Sequence, residues 1–152
     1  METLIHGTCV ALGDRCALLR GTCGAGKSDL ALRFLFLPAG VLSARPALIA
    51  DDQVIIRRSG EQVTASCPPA LAGKIEVRGA GIAHLDYRSG ETELKLLADL
   101  DGTAGEPRYP ESRHWEPVLG LPVQRITLDP FEISAPIKLA LLLQDLFANS
   151  VD

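Results

Sequence analysis

The segment 21–28 has the residue types and spacing of a loop that binds nucleotide phosphates. Glycines at fixed positions let successive backbone N–H groups turn toward phosphate oxygens, a lysine ammonium meets the β- and γ-phosphates, and a serine hydroxyl can bind Mg²⁺. An ordinary glycine turn between a strand and a helix is the alternative. The segment fits the pattern G-x-x-x-x-G-K-[ST] throughout, so we take all of its residues as candidate nucleotide contacts: Gly21, Thr22, Cys23, Gly24, Ala25, Gly26, Lys27 and Ser28.

Two adjacent carboxylates, Asp51 and Asp52, follow the apolar run 47–50. Phosphoryl transfer uses carboxylates near a phosphate-binding loop, because one can hold Mg²⁺ and another can accept the proton of an attacking hydroxyl. Adjacent residues of a strand point to opposite faces, so the two carboxylates need not share a role. An Asp-rich turn before the next strand is the structural alternative.

Periodicity and turn signals predict the elements that position these residues. Strands are predicted over 4–12 and 15–20, joined at Gly13-Asp14, and a helix is predicted from Gly26 to the Pro38-Ala39-Gly40 stop. Further elements are a strand over 47–50, a hairpin of 53–58 and 62–66, a strand over 122–128 and a helix over 135–148. Hairpins combined with a strand–helix crossover predict an α/β fold with a mixed sheet around the phosphate loop.

The segment 100–117 is rich in glycine, proline and charge, and we predict a long exposed connection that could serve as a lid. The four cysteines, at positions 9, 16, 23 and 67, contain no C-x-x-C pair. They are therefore predicted to be small buried apolar residues and not metal ligands.

Length and composition indicate one globular domain over residues 1–152, with 47% hydrophobic and 22% charged residues. The longest apolar runs fall far short of the roughly 20 residues that span a bilayer, and the N-terminus has no basic signal region. We therefore expect a cytoplasmic protein without a membrane partner. A net charge of −4 with dispersed lysines and arginines disfavours nucleic acid as a partner.

Four blocks of the sequence resemble, in order, the landmarks of HPr kinase/phosphorylase. They are Leu-Ile-His-Gly at 4–7, the phosphate loop, Leu-Ile-Ala-Asp-Asp-Gln-Val at 48–54, and Ile-Glu-Val-Arg-Gly-Ala-Gly-Ile at 75–82, which resembles the family signature. The resemblance implies a core similar to the phosphoenolpyruvate carboxykinase nucleotide-binding fold, with ATP and Mg²⁺ as cofactors. It implies as substrate HPr, the small phosphocarrier of the sugar phosphotransferase system. The family phosphorylates a serine of HPr, and it can return the phosphate to inorganic phosphate, giving pyrophosphate.

The same resemblance suggests roles for individual residues. His6 matches the family's histidine ahead of the phosphate loop, and Lys27 and Ser28 match its phosphate and magnesium residues. Asp52 matches the catalytic acid/base that would deprotonate the HPr serine and protonate it in the reverse reaction. Without the resemblance, His6 would be an ordinary strand histidine.

Other assignments lie further along the chain. Glu76 matches a magnesium-associated glutamate, and Asp51 takes the neighbouring strand-end position, so both join Ser28 as candidate metal ligands. Without the resemblance, Glu76 would belong to the polar face of an alternating strand. Arg108 corresponds to the family's catalytic arginine, with Arg113 as the competing candidate.

Two features depart from the common form of the family. The segment 129–138 lies where the family places a loop important for dephosphorylation, but it lacks the usual basic, glycine-containing sequence. Most members also carry an N-terminal domain, so the resemblance is to the short, catalytic-domain form. Hexamers are common in the family, which implies a homo-oligomer. A small-molecule kinase or ATPase, and a nucleotide-sensing module without chemistry, are the alternative functions.

Overall fold

The computed structural model describes residues 1–38, 40, 42, 44–102 and 114–145. Two helices and eleven strands are formed within these ranges, together with a 3-10 helix at Pro69–Leu71. In chain order they are β1 (Glu2–His6), β2 (Thr8–Leu12), β3 (Arg15–Arg20), α1 (Lys27–Leu35), β4 (Pro46–Ala50), β5 (Gln53–Ser59), β6 (Gln62–Ser66), β7 (Lys74–Val77), β8 (Gly81–His84), β9 (Thr92–Leu100), β10 (His114–Val118), β11 (Leu121–Leu128) and α2 (Ala135–Gln144).

Nine of the strands form one mixed sheet in the order β1-β5-β6-β9-β3-β2-β4, to which β11 adds beside β9 and β10 beside β11. The pairs β3–β9 and β9–β11 are parallel, and the other pairs are antiparallel. The strands β7 and β8 form a separate hairpin. The predicted α/β class with a mixed sheet is confirmed.

Several strand ends meet at one edge of the large sheet. Because β2 is antiparallel to both β3 and β4, those two strands run in the same direction. The carboxyl ends of β3, β4, β9 and β11 therefore lie at the same edge as Thr8, the first residue of β2. In open α/β sheets, ligands bind outside the carboxyl ends of the parallel strands. This edge is consequently where the phosphate loop and the Asp pair come together.

Strand β9 was not predicted, although it is central to the sheet. One side of β9 pairs with β3 along most of its length, while the other side pairs first with β6 and then with β11. Its sequence contains leucine, alanine, glutamate and lysine, which favour helices as much as strands. Burial between two neighbouring strands decides its conformation, since tertiary context overrides weak local propensity.

Two apolar cores lie on opposite faces of β2 and β3. The helix-side core contains Val10, Leu12, Ala17 and Leu19, packed against α1 and α2 through residues such as Phe34 and Leu139. The strand-side core contains Cys9, Ala11, Cys16 and Leu18, packed against β5, β6 and β10. Alternate residues of each strand thus enter opposite cores, as expected for a sheet covered on both sides.

The predicted single strand over 4–12 is divided at Gly7. Its first half, β1, pairs with β5, and its second half, β2, pairs with β3 and β4. A Cβ atom at Gly7 would lie 2.9 Å from the Leu19 carbonyl oxygen, so only glycine fits this close crossing. The Gly7 N–H donates to the Asp52 carbonyl at 3.0 Å. The prediction was wrong here because the sequence shows no sign of a change of partner strand.

Other predictions have mixed outcomes. The hairpin β5–β6 is confirmed, and α2 begins at Ala135 as predicted. The connection predicted over 100–117 is wrong at Leu100, the buried last residue of β9, and over 114–117, which belong to β10. Residues 103–113 and 146–148 lie outside the described residues. Cys9 and Cys16 are buried and Cys67 is partly buried, but Cys23 is exposed, so its predicted burial is wrong. Among the described helices, none is long and apolar enough to cross a bilayer.

Candidate phosphate-binding and catalytic site

The phosphate loop connects β3 to α1 at the edge where the strand ends meet. Gly26 has φ +97° and occupies the N-cap position of α1, which receives no side-chain cap from the described residues. The first N–H groups of an α-helix have no partner within the helix, and together with the helix dipole they attract an anion. Gly26 also lies against Pro130, since a Cβ there would come within 3.3 Å of the proline ring. A larger residue would therefore disturb both the backbone and the packing.

The Lys27 side chain is folded back across the loop. Its ammonium donates to the carbonyl oxygens of Gly21 at 2.7 Å and Thr22 at 2.9 Å, and only 8% of the residue is exposed. An ammonium has three N–H bonds, so two loop carbonyls fix its position and one donor remains to be shared with an anion. The positive charge is thus held against the loop backbone, and its contact with phosphate stays a prediction.

Asp51 is buried beneath the loop, with 7% of the residue exposed. Its carboxylate accepts the Ser28 hydroxyl at 2.8 Å and 3.0 Å, and the Glu76 backbone N–H at 3.0 Å. A third donor is the Thr8 hydroxyl, 2.7 Å from Oδ1. Two strands, β2 and β7, and the start of α1 therefore supply donors to this carboxylate, which explains how an acid can be held in a nearly dry position.

The Asp52 side chain is 66% exposed, whereas Asp51 is buried. Its backbone has φ +81°, an uncommon conformation for a residue other than glycine, and such backbone strain is often found at functional sites. The His6 Nδ1 atom lies 3.4 Å from Asp52 Oδ1. The expectation that the two adjacent acids face different surroundings agrees with this geometry.

The structure brings most of the predicted site residues to one edge of the sheet. Ser28, Asp51 and the Glu76 backbone are in contact, and His6 is beside Asp52. The Glu76 side chain is exposed. Arg108 and Arg113 lie outside the described residues.

Thr8 was missed by sequence reasoning. It follows the His6-Gly7 pair and is fully buried, but its contact with Asp51 joins residues 43 positions apart. No local motif marks such a contact. A threonine at the first position of an otherwise apolar strand is the one signal in the sequence, because a buried hydroxyl needs a partner.

The oxygen atoms of Asp51 and Ser28 are suitable ligands for Mg²⁺. The carboxylate and the Ser28 hydroxyl are oxygen ligands in mutual contact, next to a loop built for phosphates. No group of three His, Cys, Asp or Glu side chains that could hold a metal is found in the described part of the chain. Mg²⁺ usually takes only one or two protein carboxylates, with substrate phosphates and water completing the coordination, so these groups fit its usual set of protein ligands.

An ionic cluster lies directly below the phosphate loop. Arg20, the last residue of β3, donates to both carboxylate oxygens of Asp99 at 2.7 Å and 3.1 Å, and to those of Glu116 at 2.6 Å and 3.0 Å. Arg125 approaches the same two acids at 4.0 Å and 3.7 Å. Bidentate pairs of this kind are geometrically specific. The cluster therefore ties the ends of β3 and β9 to the middle of β10 and to β11.

Hydrogen bonding from Arg20 holds the pKa of the Glu116 carboxyl below its usual range. A lowered folded-state pKa stabilises the fold above the unfolded-state pKa of about 4.3, and this stabilisation is lost as the pH falls further. We therefore expect the melting temperatures of the wild type and Glu116→Gln to converge as the pH falls from about 6 to about 3.5. Thermal unfolding followed by circular dichroism measures the difference.

Glu61→Gln is the matched control for this prediction. The Glu61 side chain is 90% exposed, and its ion pair with Arg58 is long, at 3.9 Å. The difference between this control and the wild type should be small and nearly constant over the same pH range. A Glu116→Gln difference that is also independent of pH would contradict a role for the Arg20 pair in acid stability.

The segment after β11 contacts the phosphate loop and α1. Arg33 of α1 donates to the carbonyl oxygens of Pro130 and Glu132, the latter at 3.2 Å. The Phe131 N–H donates to Asp129 Oδ1 at 2.9 Å. This segment belongs to 129–138, the region in which the sequence departs from the basic, glycine-containing form. It contacts the phosphate loop through Pro130, so the structure places it at the site.

The comparisons with known proteins agree on one family. The family model described as HPr Serine kinase C-terminal domain matches residues 1–101. Proteins named HPr kinase/phosphorylase from Burkholderia lata and Burkholderia cenocepacia are each 32% identical over 97% of this chain and 45% of their own length. The chain thus spans less than half the length of these relatives.

A solved structure has the same fold. The Hpr(Ser) kinase/phosphatase from Coxiella burnetii superposes with a TM-score of 0.77 at 22% identity, and the match covers 95% of each chain. Similarity to the phosphoenolpyruvate carboxykinase fold stays a prediction. The family model covers more than half of the chain and the curated relatives cover nearly all of it. This chain therefore belongs to the HPr serine kinase C-terminal domain family.

Proposed function

We propose that this chain is the catalytic domain of a protein kinase that uses ATP and Mg²⁺ to phosphorylate a serine of an HPr-type phosphocarrier protein. The observation that carries the proposal is the separation of the two acids at the end of β4. Asp51 is buried against Ser28 below the phosphate loop, while Asp52 is exposed beside His6. One carboxylate can thus serve the nucleotide while the other serves an acceptor that arrives from solvent.

The phosphate loop and its lysine would bind the nucleotide. Backbone N–H groups at the start of α1 and the Lys27 ammonium would contact the β- and γ-phosphates. Ser28 and Asp51 would hold Mg²⁺, which when bound neutralises charge on those phosphates. The loop lies against Pro130 and near Leu100, and this packing would help to hold its conformation before the nucleotide arrives. Such preorganisation lowers the free-energy cost of binding and of reaction.

Asp52 would act on the acceptor. Its carboxylate accepts the proton of the serine hydroxyl while the serine oxygen bonds to the γ-phosphorus, and the bond from that phosphorus to the bridging oxygen of ADP breaks. His6, 3.4 Å away, is placed to keep the carboxylate in position. In the reverse direction inorganic phosphate would attack phosphoserine, Asp52 would return the proton to the serine oxygen, and pyrophosphate would form.

The remaining parts of the proposal concern the assembly. Residues 1–152 would form one catalytic domain, and copies of it would associate as a homo-oligomer, by family resemblance a hexamer. Arg108 or Arg113 would stabilise the transferred phosphoryl group. The oligomer and the arginine role are taken from the resemblance to the family. The curated relatives are roughly twice as long as this chain.

Transfer of labelled γ-phosphate from ATP to a purified HPr-type phosphocarrier tests the function. We expect Mg²⁺-dependent labelling of one serine and none in a carrier whose acceptor serine is replaced by alanine. Binding of ATP without transfer to the carrier would contradict the kinase and favour a nucleotide-sensing module. Labelling of small metabolites in place of the carrier would indicate a small-molecule kinase.

A further inference from the structure

We propose that Thr8 is a positioning residue that holds the Asp51 carboxylate in the orientation needed for the metal of the nucleotide complex. The inference rests on the Mg²⁺ site of the proposed function. It assigns the orientation of the Asp51 carboxylate to a residue outside the phosphate loop and the Asp pair. Thr8 would touch neither nucleotide nor metal and would act only through Asp51.

The burial of Thr8 makes its hydroxyl dependent on Asp51. Thr8 is 0% exposed, and its Oγ1 donates to Asp51 Oδ1 at 2.7 Å. A buried hydroxyl without a partner is destabilising, so the rotamer that reaches Asp51 is strongly favoured. The contact is set by the sheet, because β2 pairs with β4 and Cys9 lies opposite Ala50, the residue before Asp51. Thr8 and Asp51 are thus neighbours at the end of the β2–β4 pair.

The contacts of Asp51 show what Thr8 contributes. Oδ1 accepts Thr8 and Ser28, while Oδ2 accepts Ser28 and the Glu76 N–H. The carboxylate is therefore held at both oxygens, and rotation about its Cβ–Cγ bond would break contacts with two strands at once. With its proton directed to Asp51, the Ser28 hydroxyl presents its lone pairs away from the carboxylate, where a cation can meet them.

Loss of the Thr8 contact should weaken the binding of the metal that accompanies the nucleotide. Without this donor, Oδ1 retains only the Ser28 hydroxyl while the Glu76 N–H still holds Oδ2, so the carboxylate can pivot about that one backbone contact. Residues that orient metal ligands typically change metal affinity by about 10- to 100-fold when removed. The backbone N–H groups and Lys27 do not depend on Thr8, so binding of the nucleotide without metal should not change.

Thr8→Val tests the inference, since valine keeps the shape and removes the donor. We expect the Mg²⁺ concentration at half-maximal binding of a fluorescent ATP analogue to rise by at least about tenfold. Affinity for the same analogue in EDTA should equal that of the wild type. Electron paramagnetic resonance of Mn²⁺ in the presence of ATP gives a second, direct readout of the metal that does not depend on turnover.

Three further variants isolate the hydroxyl. Thr8→Ser keeps the donor and should restore the metal affinity, while Thr8→Cys has a weaker donor and should give an intermediate value. Thr64→Val is the matched control, because Thr64 is also buried in a strand but donates to the Arg57 carbonyl at 3.4 Å, away from the site. It should bind Mg²⁺ and ATP like the wild type. If Thr8→Val fails to fold, Thr8→Cys and Thr8→Ser carry the comparison.

Two results would overturn the inference alone. One is wild-type metal dependence in Thr8→Val, and the other is an equal loss of affinity with Mg²⁺ and with EDTA, which would indicate a merely structural role. A wild-type protein that binds ATP with no dependence on Mg²⁺ would instead contradict the metal site of the proposed function, and the inference would fail with it.

Discussion

Replacing Asp52 with asparagine should lower the rate of phosphoryl transfer by roughly 10²- to 10⁴-fold, the range typical of a lost general base. The amide cannot accept the proton of the attacking hydroxyl. The effect on the fold should be small, because the Asp52 side chain is 66% exposed and lies 3.4 Å from His6. Asparagine also tolerates the positive φ of +81° at this position better than most residues do.

Single-turnover transfer to the phosphocarrier, measured beside ATP affinity, separates the possible roles of Asp52. The rate should fall while ATP affinity is retained. Asp14→Asn provides the matched control, since Asp14 lies in the turn after β2, at the opposite edge of the sheet, with a side chain 98% exposed. An Asp52→Asn variant that transfers phosphate at the wild-type rate would eliminate Asp52 as the base, and lost ATP binding would indicate a structural role.

Replacing Lys27 with methionine should weaken ATP binding by about 10- to 100-fold, since a hydrogen bond to a charged group contributes roughly 1.5–3 kcal/mol. Methionine preserves the length of the side chain but removes its charge and its N–H donors. In the wild type, the Gly21 and Thr22 carbonyls accept hydrogen bonds from the Lys27 ammonium at 2.7 Å and 2.9 Å. In the variant they would lose this donor. The loop itself should therefore also become less ordered.

Isothermal titration with ATP measures the affinity, and Lys95→Met controls for loss of a positive charge elsewhere. Lys95 lies in β9 and forms an ion pair with Glu93 at 2.8 Å. Its replacement should leave ATP affinity close to that of the wild type. If Lys27→Met bound ATP as tightly as Lys95→Met does, the phosphate-binding role of the loop lysine would be refuted.

The parts of the fold with strong local signals were predictable. The phosphate loop, α1 and the β5–β6 hairpin depend on glycine positions, an amphipathic period and a turn, all of which lie within short segments. These features could be derived because each depends on neighbours in the sequence. Asp51 and Asp52 lie in the bend between β4 and β5, where Asp52 has φ +81°, so the strand alternation assumed for them does not explain their different surroundings.

Features that depend on distant segments were missed. The conformation of β9 follows from pairing with β3, β6 and β11, and its own residues do not favour a strand. Strand β10 lies in a segment whose prolines and charges resemble a connection, and among the described strands it pairs with β11 alone. The role of Thr8 needs the register of β2 against β4. Propensity and periodicity within one segment contain no information on these pairings.

The parallel pairing of β3 with β9 also bears on how the protein reaches its native state. Arg20 and Asp99 are 79 positions apart, yet their side chains meet directly below the phosphate loop. Closing so long a loop costs conformational entropy before any contact compensates for it, so such pairings form slowly. A nascent chain that ends after α1 contains the loop sequence without the strand ends that shape it. ATP should consequently recognise only the completed fold, and its binding would favour folding by mass action.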